Sequence, residues 1–181
     1  MAPNATIYKA ELQVSDMDRH YYATHTLTLA CHPSETGERL MVRLLAFALY
    51  ADERLEFGKG LSNEEEPDLW RRNYAGEIEL LIELGQPDES RIRKACARAR
   101  QVVVVNYGGH AADVWWDKVA TSLARHRNLT VLDIPEATVR QLAELLERSM
   151  RLQVLVQDGE LQLMDGSRSV SVHAQRRMGS D

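Results

Sequence analysis

The sequence predicts an α+β fold: a mixed β-sheet core flanked by helices, with an additional antiparallel sheet built from an N-terminal hairpin and a C-terminal meander. Three observations lead there. Short runs of alternating apolar and polar residues open and close the chain, and the late ones are joined by Asp158-Gly159 and Asp165-Gly166, dipeptides suited to tight hairpin turns. Between about Glu77 and Ser149 strands alternate with helices instead, which implies parallel crossovers. The run Val102 to Val105 is β-branched throughout and bounded by Gly108-Gly109, as expected of a strand buried on both faces.

Taken in order, Thr6 to Val14 and Tyr21 to Leu29 alternate around a Ser15-Asp16-Met17-Asp18 turn and form the first hairpin. His32-Pro33 begins a helical segment in which Leu40, Leu44, Phe47, Ala48 and Ala51 recur at helical spacing, ending near Asp52. Leu55 to Gly60 reads as a short strand, and Asn63-Glu64-Glu65-Glu66 as a solvated acidic loop. A second hairpin follows. Pro87 then suits the first turn of a helix whose positive end carries Asp88 and Glu89 and whose apolar stripe is Ile92, Cys96 and Ala99. Ala111 to His126 is helical, Leu129 to Ile134 a strand, and Pro135-Glu136 opens a helix lined by Val139, Leu142 and Leu146. Leu152 to Val156, Leu161 to Met164 and Val170 to His173 make a three-stranded meander that can pair with the N-terminal hairpin, and residues from about Arg176 onward are expected to fray. One domain therefore spans 1–181, with a core over 31–150 and added sheet elements at 1–30 and 151–175.

The second hairpin carries the chemistry. With Ala75-Gly76 as a two-residue loop, Tyr74 faces Glu77, Arg72 faces Glu79, Trp70 faces Leu81, and Asp68 lies directly opposite Glu83. Side chains alternate along a strand, so these all project from one side, while Ile78, Leu80, Ile82 and Leu84 supply an apolar core face. Two carboxylates across a ladder repel each other unless they are solvated or share a cation. Oxygen ligands of this kind suit Mg²⁺, Mn²⁺ or Ca²⁺.

The placement of Asp68 and Glu83 resembles the PD-(D/E)XK nuclease fold, with one acid at the start of a hairpin strand and another on the next. At whole-chain level the sequence is similar to the YaeQ family, whose fold is a variant of that nuclease core. The matching segments include Ala5-Thr6-Ile7-Tyr8-Lys9-Ala10, His32-Pro33-Ser34-Glu35-Thr36 with Glu38-Arg39, and Tyr50-Ala51-Asp52-Glu53-Arg54-Leu55. Glu66-Pro67-Asp68-Leu69-Trp70, the block from Ile82 to Cys96, and Gln157-Asp158-Gly159 match as well. The resemblance implies a nuclease-like core and places a lysine two residues after the second acid, where this chain has Gly85. Lys94, on the following helix and off its apolar stripe, is the candidate replacement, and a solvated surface lysine is the alternative.

Composition narrows the partners. The 181 residues, 44% hydrophobic, suffice for a core without disulfides, and Cys31 and Cys96 read as inert free thiols. No apolar run is long enough to cross a membrane, and the N-terminus lacks the pattern of a secretory signal, so a cytoplasmic location is expected. A net charge of −5 argues against indiscriminate coating of nucleic acid but leaves room for a local basic groove. Arg91, Arg93 and Arg98 flank the acids in sequence and are the candidate phosphate contacts. Glu35 and Glu38, an i to i+3 step on the helix before the second hairpin, are further candidate ligands, with an exposed acidic first turn as the alternative. Trp115-Trp116 reads as core packing ahead of base stacking, and the six histidines show no metal-ligand spacing.

Two functional expectations follow. In the first, the protein is an Mg²⁺- or Mn²⁺-dependent phosphodiesterase acting on nucleic acid. Asp68, Glu83 and the Leu84 carbonyl then hold the metal, and Gln86 or Lys94 positions the attacking water or stabilises the charge on the phosphate. In the second, the nuclease-like fold is a catalytically inactive regulatory module that binds nucleic acid or a protein, as the missing lysine at Gly85 and the acidic charge favour.

Overall fold

The computed structural model describes residues 4–59 and 64–179. In chain order the elements are β1 (Thr6–Asp16), β2 (Tyr21–Cys31), α1 (Gly37–Leu49), β3 (Leu55–Phe57), β4 (Leu69–Arg72), β5 (Ile78–Leu84), α2 (Glu89–Arg98) and β6 (Ala99–Tyr107). These are followed by α3 (His110–Leu123), β7 (Leu129–Ile134), α4 (Glu136–Glu144), β8 (Ser149–Gln157), β9 (Glu160–Met164), β10 (Ser169–Val172) and β11 (Gln175–Met178). The α+β class expected from the sequence is the class observed.

The backbone forms two compact units, Met1–Ala51 with Ala137–His173, and Asp52–Glu136 with Ala174–Asp181. The division falls elsewhere than the expected core at 31–150. The first unit is a five-stranded sheet in the order β10-β9-β8-β1-β2. Its strands bury every second residue, such as Ala10, Leu12 and Val14 of β1 and Leu152, Val154 and Val156 of β8. Hairpin and meander do join, but through β1 and β8 running parallel, so the sheet is mixed where an antiparallel one was expected. Asp158 and Gly159 both take positive φ at the β8–β9 turn, as an Asp-Gly hairpin requires. The Asp18 carboxylate accepts from both of their N–H groups at 2.8 Å.

In the same unit α1 is buried from Leu40 through Ala48, and Phe47 meets the His25 ring of β2 edge-on. It starts later than expected: Thr36 is the N-cap and accepts from the Arg39 N–H at 3.1 Å. Glu35 therefore precedes the helix instead of sharing a helical face with Glu38. Its carboxylate is held by Arg39 at 2.8 Å and Arg43 at 2.9 Å.

The second unit is a six-stranded sheet in the order β11-β7-β6-β5-β4-β3. β5, β6 and β7 run parallel, joined by the α2 and α3 crossovers, and β6 is buried from Val102 to Asn106 as a two-sided strand must be. Leu81, Ile92, Ala95, Val102, Val104, Val119 and Leu123 share one core cluster, and Trp115 and Trp116 pack against it. β3 is shorter than expected and ends at Phe57; Gly60 and Asn63 lie outside the described residues. The expectation of a frayed tail is corrected. Gln175–Met178 pairs antiparallel with β7, Met178 packs against the core, and Arg177 forms ion pairs with Asp113 and Asp133. Cys31 and Cys96 are free, and burial pushes the Cys96 thiol up to about 11, which keeps it protonated at neutral pH. Among the described residues no helix is long and apolar enough to cross a membrane.

Candidate functional site

The β4–β5 hairpin reaches the expected pairing by a different route. Asn73, not Tyr74, stands opposite Glu77: its N–H donates to the Glu77 carbonyl at 2.9 Å, and its side-chain oxygen accepts from the N–H groups of Ala75 and Glu77. The loop is therefore three residues long, with Gly76 in the left-handed region at φ 85°. That extra residue displaces the register by one, so Arg72 faces Ile78 where Glu79 was expected. A bulge then absorbs the displacement before Arg71 pairs with Leu80. Beyond it Trp70 faces Leu81 and Leu69 faces Ile82, as expected. The bulge also turns Ile78 onto the side of Leu81, and it packs in that cluster instead of sharing a face with Leu80 and Ile82.

Asp68 and Glu83 follow this restored register and are both buried, each 4% exposed. Asp68 immediately precedes β4, and its Oδ2 accepts the Leu84 N–H at 2.9 Å. Its carbonyl accepts from the Gly58 N–H at 2.9 Å. A Cβ on Gly58 would stand 1.9 Å from the Pro67 carbonyl oxygen, so only glycine allows the chain to run this close beside Asp68. Burial, and next the neighbouring Asp68 charge, raise the Glu83 carboxyl from 4.5 to about 7.

The arginine side of the site comes from α2. Asp88 is the N-cap and accepts from the Arg91 N–H at 2.8 Å, leaving Pro87 just outside the helix instead of in its first turn. Ile92 and Ala95 face the core, which turns Arg91, Lys94 and Arg98 together toward the opening of a pocket of about 730 Å³. Glu83, Ser90, Glu64 and Glu65 complete most of its wall. Arg91 Nε donates to Glu83 Oε1 at 3.0 Å, while its Nη1 and Nη2 hold the carbonyls of Glu64 at 2.7 Å and Glu66 at 3.2 Å. Arg98 Nη2 donates to the Glu65 carbonyl at 3.0 Å.

The expected site residues thus separate. Asp68, Glu83, Arg91, Lys94 and Arg98 belong to one neighbourhood, but Lys94 is exposed and makes no ion pair among the described residues, while Arg91 takes the place beside Glu83. Arg93 does not line the pocket, because it falls on a different side of α2. Gln86 is turned away: its amide nitrogen donates to Asn106 Oδ1 at 2.7 Å and to the Tyr107 carbonyl. Gly85 lies in the left-handed region at φ 83°, so the position where the resemblance places a lysine is one an L side chain occupies only with strain. Glu35 and Glu38 are in the other unit, with Glu35 held by its two arginines. Sequence reading missed Gly58 and the ion pair between Arg91 and Glu83. The 91, 94, 98 spacing on one helix face was the available signal.

No group of three or more His, Cys, Asp or Glu side chains suited to a metal ion occurs among the described residues. Two hard, buried carboxylates with unequal protein compensation nevertheless fit a cation of the Mg²⁺ type, which is bound through one or two carboxylates while water and substrate phosphate supply the remaining ligands.

The architecture is that of a mixed-sheet α+β protein with a buried acid pair under a basic helix face. The chain belongs to the YaeQ family: the family model described as YaeQ protein matches residues 1–174. It is similar to the protein named Uncharacterized protein YaeQ of Salmonella typhi, 47% identical over 172 residues and 95% of each chain. The protein of that name in Escherichia coli (strain K12) is 44% identical over 173 residues and 96% of each chain. Among solved structures, the crystal structure of YaeQ protein from Xanthomonas axonopodis pv. citri is 57% identical, with a TM-score of 0.94 over 97% of this chain and 99% of that one. That from Pseudomonas syringae is 34% identical, with a TM-score of 0.93 over 97% of each chain.

Proposed function

We propose that this protein is a divalent-cation-dependent phosphodiester hydrolase acting on nucleic acid, with a nuclease-like core. The observation that supports it most is the buried pair of Asp68 and Glu83 directly beside a pocket lined by Arg91, Lys94 and Arg98. Asp68 and Glu83, with the Leu84 carbonyl, would hold Mg²⁺ or Mn²⁺. When bound, such an ion supplies Lewis-acid polarisation of a phosphoryl oxygen and lowers the pKa of water. The chain's own cations do the rest. Arg98 binds phosphate oxygens at the pocket wall, and Lys94, without a fixed ion pair among the described residues, is available to stabilise the charge that builds on the phosphate. Gln86 is assigned no step, because its amide is committed to the end of β6.

A second reading, a binding module without turnover, is favoured by the ion pair between Arg91 and Glu83 at 3.0 Å. It keeps one carboxylate oxygen engaged. Incubation of fluorescently end-labelled DNA and RNA with the protein and Mn²⁺ separates the two. Cleavage that is lost in Asp68→Asn and Glu83→Gln supports hydrolysis. Binding without cleavage across both polymers supports the module.

A further inference from the structure

Arg91 is bonded in three directions at once: Nε to Glu83, Nη1 to the Glu64 carbonyl and Nη2 to the Glu66 carbonyl. Its side chain is one-third exposed, whereas that of Glu83 is 5% exposed. A guanidinium on a pocket wall is the group best suited to grip a phosphate in two places, yet here Nη1 and Nη2 each hold a backbone carbonyl and Nε is spent on the carboxylate that a metal would need. The pocket's charge sharpens the conflict. Along its wall the carboxyl groups of Glu64, Glu65, Glu83 and Asp88 outnumber the cations Arg91, Lys94 and Arg98, with Asp68 buried next to Glu83. The carboxylates repel a phosphate, and a divalent cation offsets that repulsion.

We infer that Arg91 is a latch on the acid pair and the phosphate clamp that the latch releases, so that a phosphate ester binds in this pocket only after a divalent cation has taken Glu83. The inference rests on the metal site of the proposed function and adds to it an order of binding and a ligand for Arg91. A cation on Glu83 competes directly with Arg91 Nε, because both seek the same carboxylate. Once Nε is displaced, the guanidinium stays in the pocket on its bonds to the Glu64 and Glu66 carbonyls and turns the freed Nε–H and a second, unused Nη–H to the phosphate oxygens, while Arg98 still holds the Glu65 carbonyl.

One substitution should therefore act with opposite sign on two ligands. Arg91→Gln removes the competitor for Glu83 and the clamp for phosphate together. Mn²⁺ affinity is measured by titration calorimetry, and affinity for a fluorescein-labelled phosphorothioate oligothymidylate by anisotropy, in Mn²⁺ and in chelator. Wild type is expected to bind the oligonucleotide at least tenfold tighter in Mn²⁺. Arg91→Gln should bind Mn²⁺ at least threefold tighter than wild type and the oligonucleotide at least fivefold more weakly. Equal or weaker Mn²⁺ binding by the variant, or unchanged oligonucleotide affinity, overturns the latch while leaving the metal site standing. A wild type that takes up no Mn²⁺ overturns both. If the variant does not fold, NMR of the wild-type Arg91 Nε–H decides. Its exchange with water should accelerate sharply on saturation with Mg²⁺, and a signal that stays protected at saturation overturns the inference.

Discussion

Asp68 is tied to the strand that carries Glu83 by its own carboxylate, Oδ2 accepting the Leu84 N–H at 2.9 Å. A side chain before β4 thereby supplies a partner to a backbone donor on β5, and the two acids are held close while repelling each other. Asp68→Ala leaves that buried N–H without its acceptor and should cost about 1–3 kcal/mol. Asp68→Asn keeps an acceptor oxygen and removes the repulsion, so it should cost clearly less. Urea unfolding of the two variants checks the order. An alanine variant as stable as wild type would mean that the bond contributes nothing.

Glu83 sets a pH dependence. Its carboxyl is raised from 4.5 to about 7 in the folded protein, by burial first and the Asp68 charge second. Between those two values the native state binds more protons than the unfolded state, so stability falls as pH rises. The contribution is complete below pH 4.5 and lost once pH passes about 7, a loss of order 3 kcal/mol. Glu83→Gln does not titrate there. Its stability relative to wild type should therefore increase from pH 5 to pH 8 in urea unfolding, with other groups cancelling in the difference. A constant difference across that range would show that Glu83 ionises normally.

Gly85 holds a backbone conformation that disfavours a lysine at its position. A side chain at φ 83° has room, since its Cβ would meet only the Tyr107 ring at 3.8 Å, but the backbone conformation costs about 1–3 kcal/mol. Gly85→Lys should be destabilised by that amount. Lys94→Ala should change stability by no more than about 0.5 kcal/mol, because the residue is exposed, yet reduce any metal-dependent cleavage. Full cleavage by Lys94→Ala would remove Lys94 from the reaction.

The arginines of α2 are expected to differ. Arg98 lines the pocket and Arg93 does not. Arg98→Gln should lower the slope of log affinity against log salt for an oligonucleotide by about 1, while Arg93→Gln leaves it unchanged. Equal slopes for both variants would place the nucleic acid outside the pocket.

Much of this was legible in the sequence because alternation and periodicity report burial directly. The two-sided run Val102 to Val105 and the Asp158-Gly159 turn are examples. The Asp68 and Glu83 pairing was legible only because two local irregularities cancel: the three-residue loop at Asn73 adds one residue and the bulge before Arg71 takes up one. β11 was not legible, since Gln175-Arg176-Arg177-Met178 has the polarity of a frayed tail and is held by pairing with β7 and by Asp113 and Asp133. The choice between Arg91 and Lys94 was beyond reach because both occupy one face of α2. Only side-chain direction separates them, and that is set by packing around Ile92 and Ala95.

Thermal unfolding of wild type and Glu83→Gln in chelator and in millimolar Mn²⁺ decides whether Asp68 and Glu83 form a shared cation site. A ligand that binds only the folded state raises its melting temperature. Wild type should unfold at a higher temperature in Mn²⁺ than in chelator, and Glu83→Gln, though more stable than wild type in chelator at pH 8, should gain nothing. A wild-type melting temperature unmoved by Mn²⁺, or an equal gain in the variant, would mean that the two carboxylates share no cation.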